Sequence, residues 1–482
     1  MSFTKKAVVV VLLVVMTLGI IYIGNKNNIA EEENKDNAYY QTETVYLWYT
    51  DDNFTDYFTN AAVEFHELNP DIRVIPALVD SAEYLEHINS ASLSEDVYPD
   101  LYVLTNDSLE RAYLSGLACN VSDSENVLNY AHFSDGALNA VKYHNDYVGY
   151  PLSFDTTVLL YNKTYLQNWV ERVNNGGIDA DMRENAMEDE GDTVLVPLNP
   201  VTLDNYIPSS FDDIQTFANE YEAEEGVESV LKWDVKDVFY SYFFTGNYMN
   251  VGGDSGDDSN AIDICNDETV ACAKAFQDLT SAYSIDPKTS DYFSVLDDFL
   301  AGKTVYTIVT SDAIKIVSDK VAEREETLRI NALADALEEG EESGAGFDKI
   351  LEHKYGYANI PDVSVDLKSR SLSVTKALVV NGYSTKKSAA NKFAAFVTTD
   401  YSPNLYDRTG ELAASVDAGY TEEAFVTFQS EYADSIPLSK LVEASNFWIQ
   451  LEIAFANMLS GTDSGTALWN LSEQIKSQLI TE

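Results

Sequence analysis

The sequence has few of the residues and none of the short motifs that most often carry enzyme chemistry. It contains three cysteines and five histidines in 482 residues, with no CxxC pair and no Cys/His cluster. The motifs GxGxxG, GxxxxGK[ST], GxSxG and HExxH are all absent. These absences argue against a zinc site, a Cys-His catalytic pair, a phosphate-binding loop and a serine nucleophile elbow. We therefore expect no catalytic residues of these kinds, no metal and no cofactor. Paired carboxylates carry no information here, because 80 acidic residues produce accidental pairs.

Basic residues are scarce as well. Lys and Arg total 30 against 80 Asp and Glu, for a formal net charge of −50 at pH 7. Such a surface repels nucleic acid phosphates and anionic lipid headgroups, so the body of the chain is not expected to bind nucleic acid. The main effect of the charge is solubility. The run GGDSGDD offers oxygen ligands for calcium but lacks the spacing of a calcium loop, and a solvated turn is the simpler interpretation.

Because the cysteine count is odd, at least one cysteine is unpaired or bonded to another chain. Cys265 and Cys272 flank the segment NDETVA and can form a disulfide if the compartment oxidises thiols. Cys119 lies far from both in the sequence. The sequence leaves the bridged and the reduced state of Cys265 and Cys272 open.

One long apolar run contrasts with this polar composition. Residues 7–23 follow Lys5 and Lys6 and contain no charge, the layout of an export signal whose positive end stays in the cytoplasm. The run offers poor cleavage sites and lies near the lower length limit of a spanning helix. We expect residues 1–24 to anchor the chain in the cell membrane and 25–43 to form a linker. A cleaved signal followed by secretion is the alternative, and both place the rest of the chain on the extracytoplasmic side.

Beyond residue 43, segments typical of strands alternate with helical ones. Strands are predicted for VYLWYT (45–50), IRVIPAL (72–78), LYVLTN (101–106) and VYTIVT (305–310) from their β-branched and aromatic content. Apolar residues at helical spacing predict helices over 54–68, 82–92, 211–225, 267–283, 388–399 and 447–459. This alternation predicts βαβ units with parallel sheets in an α/β fold.

Eight motifs follow one another between about residues 45 and 479. In chain order they are FHELNPDIRV, YPDLYVLTNDSLERAYLSGL, YVGYPLSFDTTVLLYNKTYL, IPSSFDDIQTFA, FLAGKTVYTIV, ANIP, YDRTGELAAS and NFWIQLEIAFANMLSG. Together they resemble the extracellular solute-binding proteins of ABC transporters, in particular the sugar-binding group that includes maltose-binding protein.

The resemblance implies a two-lobed, periplasmic-binding-protein-like fold of type II. Each α/β lobe would hold a mostly parallel sheet flanked by helices, and hinge crossovers would join the lobes, which close around the ligand. The implied lobes are 44–153 with 378–408, and 154–377 with 409–482. The resemblance further implies a monomer that binds an oligosaccharide and delivers it to ABC transporter permease subunits without catalysing a reaction.

The resemblance also indicates residues that contact the ligand. The candidates are Asp51, Asp52, Asp107, Asp155, Tyr240, Tyr242, Asp312 and Trp448. Several of these acids follow predicted strands, at the edge where α/β sheets usually bind ligands. Carboxylates pair with sugar hydroxyls, and flat aromatic side chains cover the apolar face of a sugar ring. The alternative roles are a helix cap for the first three acids, a local loop bond for Asp155 and core packing for Trp448.

Three positions depart from the maltose-binding pattern. Leu104 stands where that group has an aromatic residue, and Ser108 and Glu452 stand where it has arginines. These departures indicate a sugar other than a maltodextrin.

Three alternative functions fit the same residues. A secreted glycoside hydrolase would use the acids as catalysts and the aromatic residues as subsites. A surface sensor or adhesin would use the same lobes without a transporter. A third alternative keeps the fold but binds a polyamine, an iron complex or a phosphorylated sugar.

Overall fold

The computed structural model describes residues 42–95, 97–175, 200–339 and 353–479. The predicted anchor 1–24 lies outside the described residues, as does nearly all of the predicted linker 25–43. Within the described ranges, no helix has both the length and the apolar character needed to cross a membrane.

Strands and helices alternate along the described chain. The strands are β1 (Glu43–Tyr49), β2 (Ile72–Leu78), β3 (Leu101–Thr105), β4 (Lys142–Tyr143), β5 (Asp146–Tyr147), β6 (Tyr150–Thr156), β7 (Val158–Asn162), β8 (Ser229–Leu231), β9 (Asn250–Val251), β10 (Ile262–Asp263), β11 (Thr304–Val309), β12 (Tyr355–Ala358), β13 (Leu372–Val380), β14 (Leu412–Ala413) and β15 (Ile436–Pro437). The helices are α1 (Thr55–Leu68), α2 (Tyr84–Ser94), α3 (Leu109–Leu114), α4 (Asp135–Ala140), α5 (Lys163–Asn174), α6 (Phe211–Glu220), α7 (Asp267–Ala282), α8 (Tyr292–Leu300), α9 (Asp312–Glu339), α10 (Lys387–Thr398), α11 (Leu405–Thr409), α12 (Glu423–Ala433), α13 (Phe447–Leu459) and α14 (Ser464–Leu479).

The larger sheet has seven strands and forms the centre of what we call the first lobe. The strand order is β14-β6-β13-β3-β1-β2, and β15 pairs with β13. β1 and β3 are parallel, whereas β13 is antiparallel to both β3 and β6. The sequence predicts mostly parallel sheets. The antiparallel ladders of this sheet involve β6 and β13, the strands with which the chain leaves for the other sheet and returns from it.

The smaller sheet has four strands in the order β12-β7-β11-β8 and forms the centre of the second lobe. Here β11 is parallel to β8, while β7 is antiparallel to β11 and β12. Thr157 alone separates β6 from β7, so the chain passes from one sheet to the other within one residue. The α/β fold with two sheets and crossovers agrees with the prediction, whereas the predicted residue bounds of the lobes stay a prediction.

The strand β7 is buried on both of its faces. Val158 and Leu160 belong to the apolar core that includes the larger sheet, and Leu159 and Tyr161 belong to the core around the smaller sheet. This division follows from strand geometry, because successive side chains point to opposite faces. A strand covered on both sides has an uninterrupted apolar sequence, as VLLY has here.

The first helix shows how apolar spacing positions an element. Phe58, Ala62 and Phe65 are buried on one face of α1, and the helix ends before Asn69-Pro70 because the residue before proline disfavours the helical conformation. The predicted helix 54–68 is thereby confirmed. Its packing holds the end of β1, and with it Asp51, against the first lobe.

The cysteines do not form a disulfide. Cys119, Cys265 and Cys272 are all free. Burial is the first cause that raises the pKa of each thiol, in the case of Cys272 to about 12, so none of them is activated as a thiolate.

Candidate functional site

A cavity of about 810 Å³ opens where the two lobes meet, and we call it the main cavity. One wall comes from β6, β13 and the residues before β14, and the other comes from the residues after β11, the start of α9 and a 3₁₀ turn at Val238–Tyr240. The lining residues are Asn53, Ser153, Phe154, Asp155, Asp237, Phe239, Tyr240, Thr310, Ser311, Asp312, Lys315, Ile316, Asp319, Val374, Lys376, Thr409, Gly410 and Glu411. Its volume is in the range of small-molecule sites.

Asp155, at the end of β6, connects the two lobes within the lining of this cavity. Its Oδ1 accepts hydrogen bonds from the backbone N–H of Ser311, in the second lobe, and of Thr156, each at 3.0 Å. Burial raises the pKa of Asp155 to about 6, the negative charge of Asp312 adds to the rise, and the bonds from Ser311 oppose it. Asp155 is therefore mostly an anionic acceptor at neutral pH and is protonated in mild acid.

Asp312 and Tyr240 form a second polar group with an aromatic face. Asp312 Oδ1 accepts from the hydroxyls of Tyr292 at 2.6 Å and Thr310 at 2.7 Å. The ring of Tyr240 stacks on that of Tyr292, with centroids 4.9 Å apart, and its hydroxyl lies 3.3 Å from Thr310 Oγ1. These contacts fix an aromatic ring beside a carboxylate in the wall of the cavity.

Asp51 belongs to an ion cluster with Lys376 and Glu411. Lys376 Nζ lies 3.1 Å from Asp51 Oδ2 and also pairs with Glu411. Ser153 Oγ donates to Glu411 Oε2 at 2.6 Å. Burial alone would lower the pKa of Lys376, but Glu411 and Asp51 hold it above its ordinary value. The lysine thus keeps its positive charge between two carboxylates.

A second, smaller cavity of about 140 Å³ lies at the ends of β1 and β3. We call it the small cavity; Tyr49, Thr50, Asp51, Phe54, Tyr84, Val103, Leu104, Thr105 and Lys376 line it. Lys376 lines both cavities. The candidate Asp51 is therefore next to the main cavity through Lys376, although it lines only the small one.

Two candidate acids lie outside both linings. Asp52 is exposed and accepts from Thr55 Oγ1 at 2.8 Å at the start of α1. Asp107 is exposed within the 3₁₀ turn Asn106–Ser108 that precedes α3. Its neighbour Asn106 is buried and donates to the carbonyl of Leu438 at 2.8 Å. The helix-cap role that the sequence offers as an alternative applies to Asp51, which accepts from the N–H of Asn53 at 3.1 Å at the start of the 3₁₀ turn Asp52–Phe54. The helices α1 and α3 begin without a side-chain capping bond.

Tyr242 and Trp448 lie together in a third cavity, of about 130 Å³. Their ring centroids are 5.5 Å apart at 60°, and Tyr242 is fully buried. Arg370 and Asp254 line the same cavity and form an ion pair at 3.2 Å. The structure thus brings Asp155, Tyr240 and Asp312 together in the main cavity and places the other two aromatic candidates elsewhere.

Several lining residues were not among the sequence candidates. Phe154 and Phe239 supply aromatic surface, Ser311 supplies the backbone donor to Asp155, and Lys376 and Glu411 supply the ion pair. The sequence does indicate Lys376, because this lysine is the charged residue in the strand sequence SVTKALVV.

The acidic run GGDSGDD connects elements far apart in the sequence. Asp257 Oδ2 accepts from the N–H of His144 at 2.7 Å, and the buried ammonium of Lys440 donates to the carbonyls of Ser255 and, at 2.9 Å, Asn139. Among the residues that the structure describes, no group of three His, Cys, Asp or Glu side chains is arranged to hold a metal ion. The acids of this run make structural contacts.

Comparison with known proteins identifies the family. The profile of a family described as bacterial extracellular solute-binding protein matches residues 60–416, which is more than half of the chain. No curated protein matches the chain in sequence. The chain therefore belongs to the bacterial extracellular solute-binding proteins. Members of this family act outside the cytoplasm and are binding proteins, so the extracytoplasmic location inferred from the sequence agrees with it.

Solved structures share the fold at low sequence identity. An extracellular solute-binding protein from Staphylococcus aureus in complex with maltose matches with a TM-score of 0.69 and 17% identity, over 93% of this chain and 99% of that one. A maltose-binding periplasmic protein from Listeria monocytogenes in complex with maltose gives 0.61 and 18%, over 92% and 99%. The maltose-maltodextrin binding protein of Alicyclobacillus acidocaldarius gives 0.57 and 14%, over 90% and 100%. The predicted two-lobed periplasmic-binding-protein fold of type II is thereby confirmed.

Proposed function

We propose that this solute-binding protein captures an oligosaccharide in the main cavity and delivers it to the permease subunits of an ABC transporter. The observation that carries the proposal is the lining of the main cavity, where fixed carboxylates stand beside aromatic rings at the junction of the lobes. That the structures of similar fold hold maltose in two cases supports a sugar as ligand.

The chemistry of the cavity suits an uncharged, hydroxyl-bearing ligand. Asp155 and Asp312 present acceptors for hydroxyl groups, and Tyr240 presents an aromatic face for the apolar side of a sugar ring. Asp51 adds a further carboxylate next to the main cavity, because it pairs with Lys376, which lines that cavity. We take these four candidates as the ligand contacts, while Asp52, Asp107, Tyr242 and Trp448 stay predictions from the sequence.

Delivery follows from lobe closure. A ligand that touches both walls binds the closed form more tightly than the open one and shifts the population toward it, and a permease that recognises the closed form then receives only loaded protein. We propose that the chain acts as a monomer held at the outer face of the membrane by residues 1–24.

A thermal-shift screen of the full-length chain against neutral mono- and oligosaccharides tests the proposal. A ligand present at 100 times its dissociation constant adds about 2.7 kcal/mol to the free energy of unfolding, which raises the melting temperature by a few degrees. Small-angle scattering should show a smaller radius of gyration with the same ligand. Absence of both effects across α- and β-linked glucans, xylans and mannans would refute a sugar-binding function.

The same ligand decides between binding and hydrolysis. A glycoside hydrolase releases new reducing ends, whereas a binding protein returns the oligosaccharide intact. We expect the bound glycan to be recovered at full length after prolonged incubation, and measurable shortening would favour the hydrolase.

A further inference from the structure

Lys376 lies at the junction of the main cavity and the small cavity. Its side chain is 28% exposed and forms ion pairs with Asp51, which precedes it in the chain, and with Glu411, which follows it. The ammonium also lies 5.0 Å from the ring centroid of Phe54. These contacts fix the position of the charge, so a ligand in the main cavity meets it at a defined place.

The number of donors on an ammonium leaves room for a ligand. A lysine side chain has three N–H donors and no acceptor, and the two ion pairs described here occupy two of them. The remaining donor suits a hydroxyl oxygen of a ligand. A cationic group of a ligand offers no acceptor and is repelled by the ammonium.

The charge of Lys376 counters an otherwise acidic lining. The carboxylates in the main cavity belong to Asp155, Asp237, Asp312, Asp319 and Glu411, against the ammonium groups of Lys315 and Lys376. Lys315 is exposed at the start of α9, in the second lobe. Lys376 is therefore the cation held among the acids of the first lobe, and its loss would leave Asp51 and Glu411 uncompensated.

We propose that Lys376 is a specificity-determining residue: by balancing Asp51 and Glu411 in an otherwise acidic site, it lowers the affinity for a cationic amino sugar relative to an uncharged oligosaccharide. This inference rests on the proposed sugar-binding function and specifies its ligand class further.

Calorimetric titration of the full-length chain with matched probes tests the proposal. The neutral probes are maltotriose and cellotriose, and the cationic probes are the corresponding trisaccharides with amino groups in place of the 2-hydroxyls. Lys376→Met should change the ratio of the two dissociation constants by about tenfold in favour of the cationic probe, because a unit charge near the ligand contributes on the order of 1.4 kcal/mol after screening. Lys376→Arg should keep the preference of the wild type.

Two further variants separate charge selectivity from structural support. The double variant Lys376→Met/Glu411→Gln removes one charge of each sign and should return the ratio of the two dissociation constants close to that of the wild type. Lys232→Met removes a lysine of similar exposure, 22%, that pairs with Asp298 at 2.7 Å outside the cavity linings, and it should leave the ratio unchanged. Lys376→Gln gives the same test as Lys376→Met if the methionine variant does not fold.

The outcomes distinguish the two proposals. If the wild type binds a neutral probe and Lys376→Met weakens both probes in parallel, Lys376 only supports the structure and the specificity proposal is wrong. If the wild type binds a glycan of the screen but none of the four probes, the specificity proposal is overturned and the sugar-binding function stands. If it binds no glycan at all, the sugar-binding function fails and this inference fails with it.

Discussion

The backbone N–H of Ser311 donates to the carboxylate of Asp155 across the junction of the two lobes, at 3.0 Å. Asp155 belongs to a strand of the larger sheet, and Ser311 follows a strand of the smaller sheet. Both residues line the main cavity, where we propose that the ligand binds. Any movement of the lobes therefore acts directly on a group that we expect to bind the ligand.

The raised pKa of Asp155 predicts a pH effect on stability. Between the ordinary pKa of 3.8 and the folded value of about 6, the folded protein binds the proton and the unfolded chain does not. This contribution to stability is complete below the unfolded pKa and is lost as the pH rises through about 6. Asp155→Asn keeps an acceptor for Ser311 and does not titrate. From pH 5 to pH 7.5, its free energy of unfolding should therefore rise by about 1 kcal/mol relative to that of the wild type.

Denaturant unfolding at the two pH values measures this difference. The other titrating groups contribute equally to both proteins and cancel. Equal pH dependence in the wild type and in Asp155→Asn would show that Asp155 titrates normally.

Lys440 predicts a pH effect of the opposite sign. Burial lowers its pKa to about 7, although Asp257 and Glu110 oppose this shift. Above that pH the unfolded chain binds a proton that the folded protein does not, so stability rises with pH up to the ordinary pKa of 10.5. From pH 7 to 9 the free energy of unfolding of the wild type, measured with urea, should rise by about 2–3 kcal/mol relative to that of Lys440→Met. Parallel curves for the two proteins would contradict the lowered pKa.

Tyr240 should contribute to binding through its ring. Tyr240→Ala removes the aromatic face and should weaken the affinity for the glycan found in the screen by about tenfold to hundredfold, in calorimetric titration. Tyr240→Phe is the matched control, since it keeps the ring and loses only the hydroxyl near Thr310. A loss of the same size in both variants would assign the effect to the hydroxyl.

Replacing Trp448 tests which cavity holds the ligand. Trp448 lines the cavity it shares with Tyr242 and not the main cavity, so Trp448→Ala should change the affinity much less than Tyr240→Ala does. Titration of both variants with the same glycan makes the comparison. A larger loss in Trp448→Ala would place the ligand beside Trp448, as the sequence predicts.

The free cysteines predict the behaviour of the thiols. The chain purified without reductant and unfolded in guanidinium should take up three equivalents of N-ethylmaleimide by mass spectrometry, because all three cysteines are free. A single equivalent would reveal a disulfide between two of them.

Elements with a strong local pattern could be predicted from the sequence. The predicted helix 447–459 and the predicted strand 72–78 coincide with α13 and β2. In both segments the local residue pattern is enough to indicate the type of element. The helix over 211–225 was predicted too long, because Tyr221 leaves the helical conformation and its ring packs on those of Trp169 and Phe217. This packing depends on a distant element that periodicity does not show.

The sequence candidates include only part of the lining of the main cavity. Asp155 lies near the end of β6, and Asp312 begins α9 shortly after β11. The segment VFYSYFF indicates Tyr240 and Tyr242 equally, but two short 3₁₀ turns place the first in the lining of the main cavity and bury the second. The contact of Lys376 with Asp51 spans 325 positions, so only the folded chain reveals it.

The single residue between β6 and β7 constrains how this protein can evolve. β7 sends alternate side chains into two different cores, so one inserted residue at Thr157 would exchange the two sets and place every side chain of the strand against the wrong partner. Substitutions are tolerable at this junction, but a change of length is not. Homologues are therefore expected to vary the amino acids here and to keep the spacing between the two strands constant.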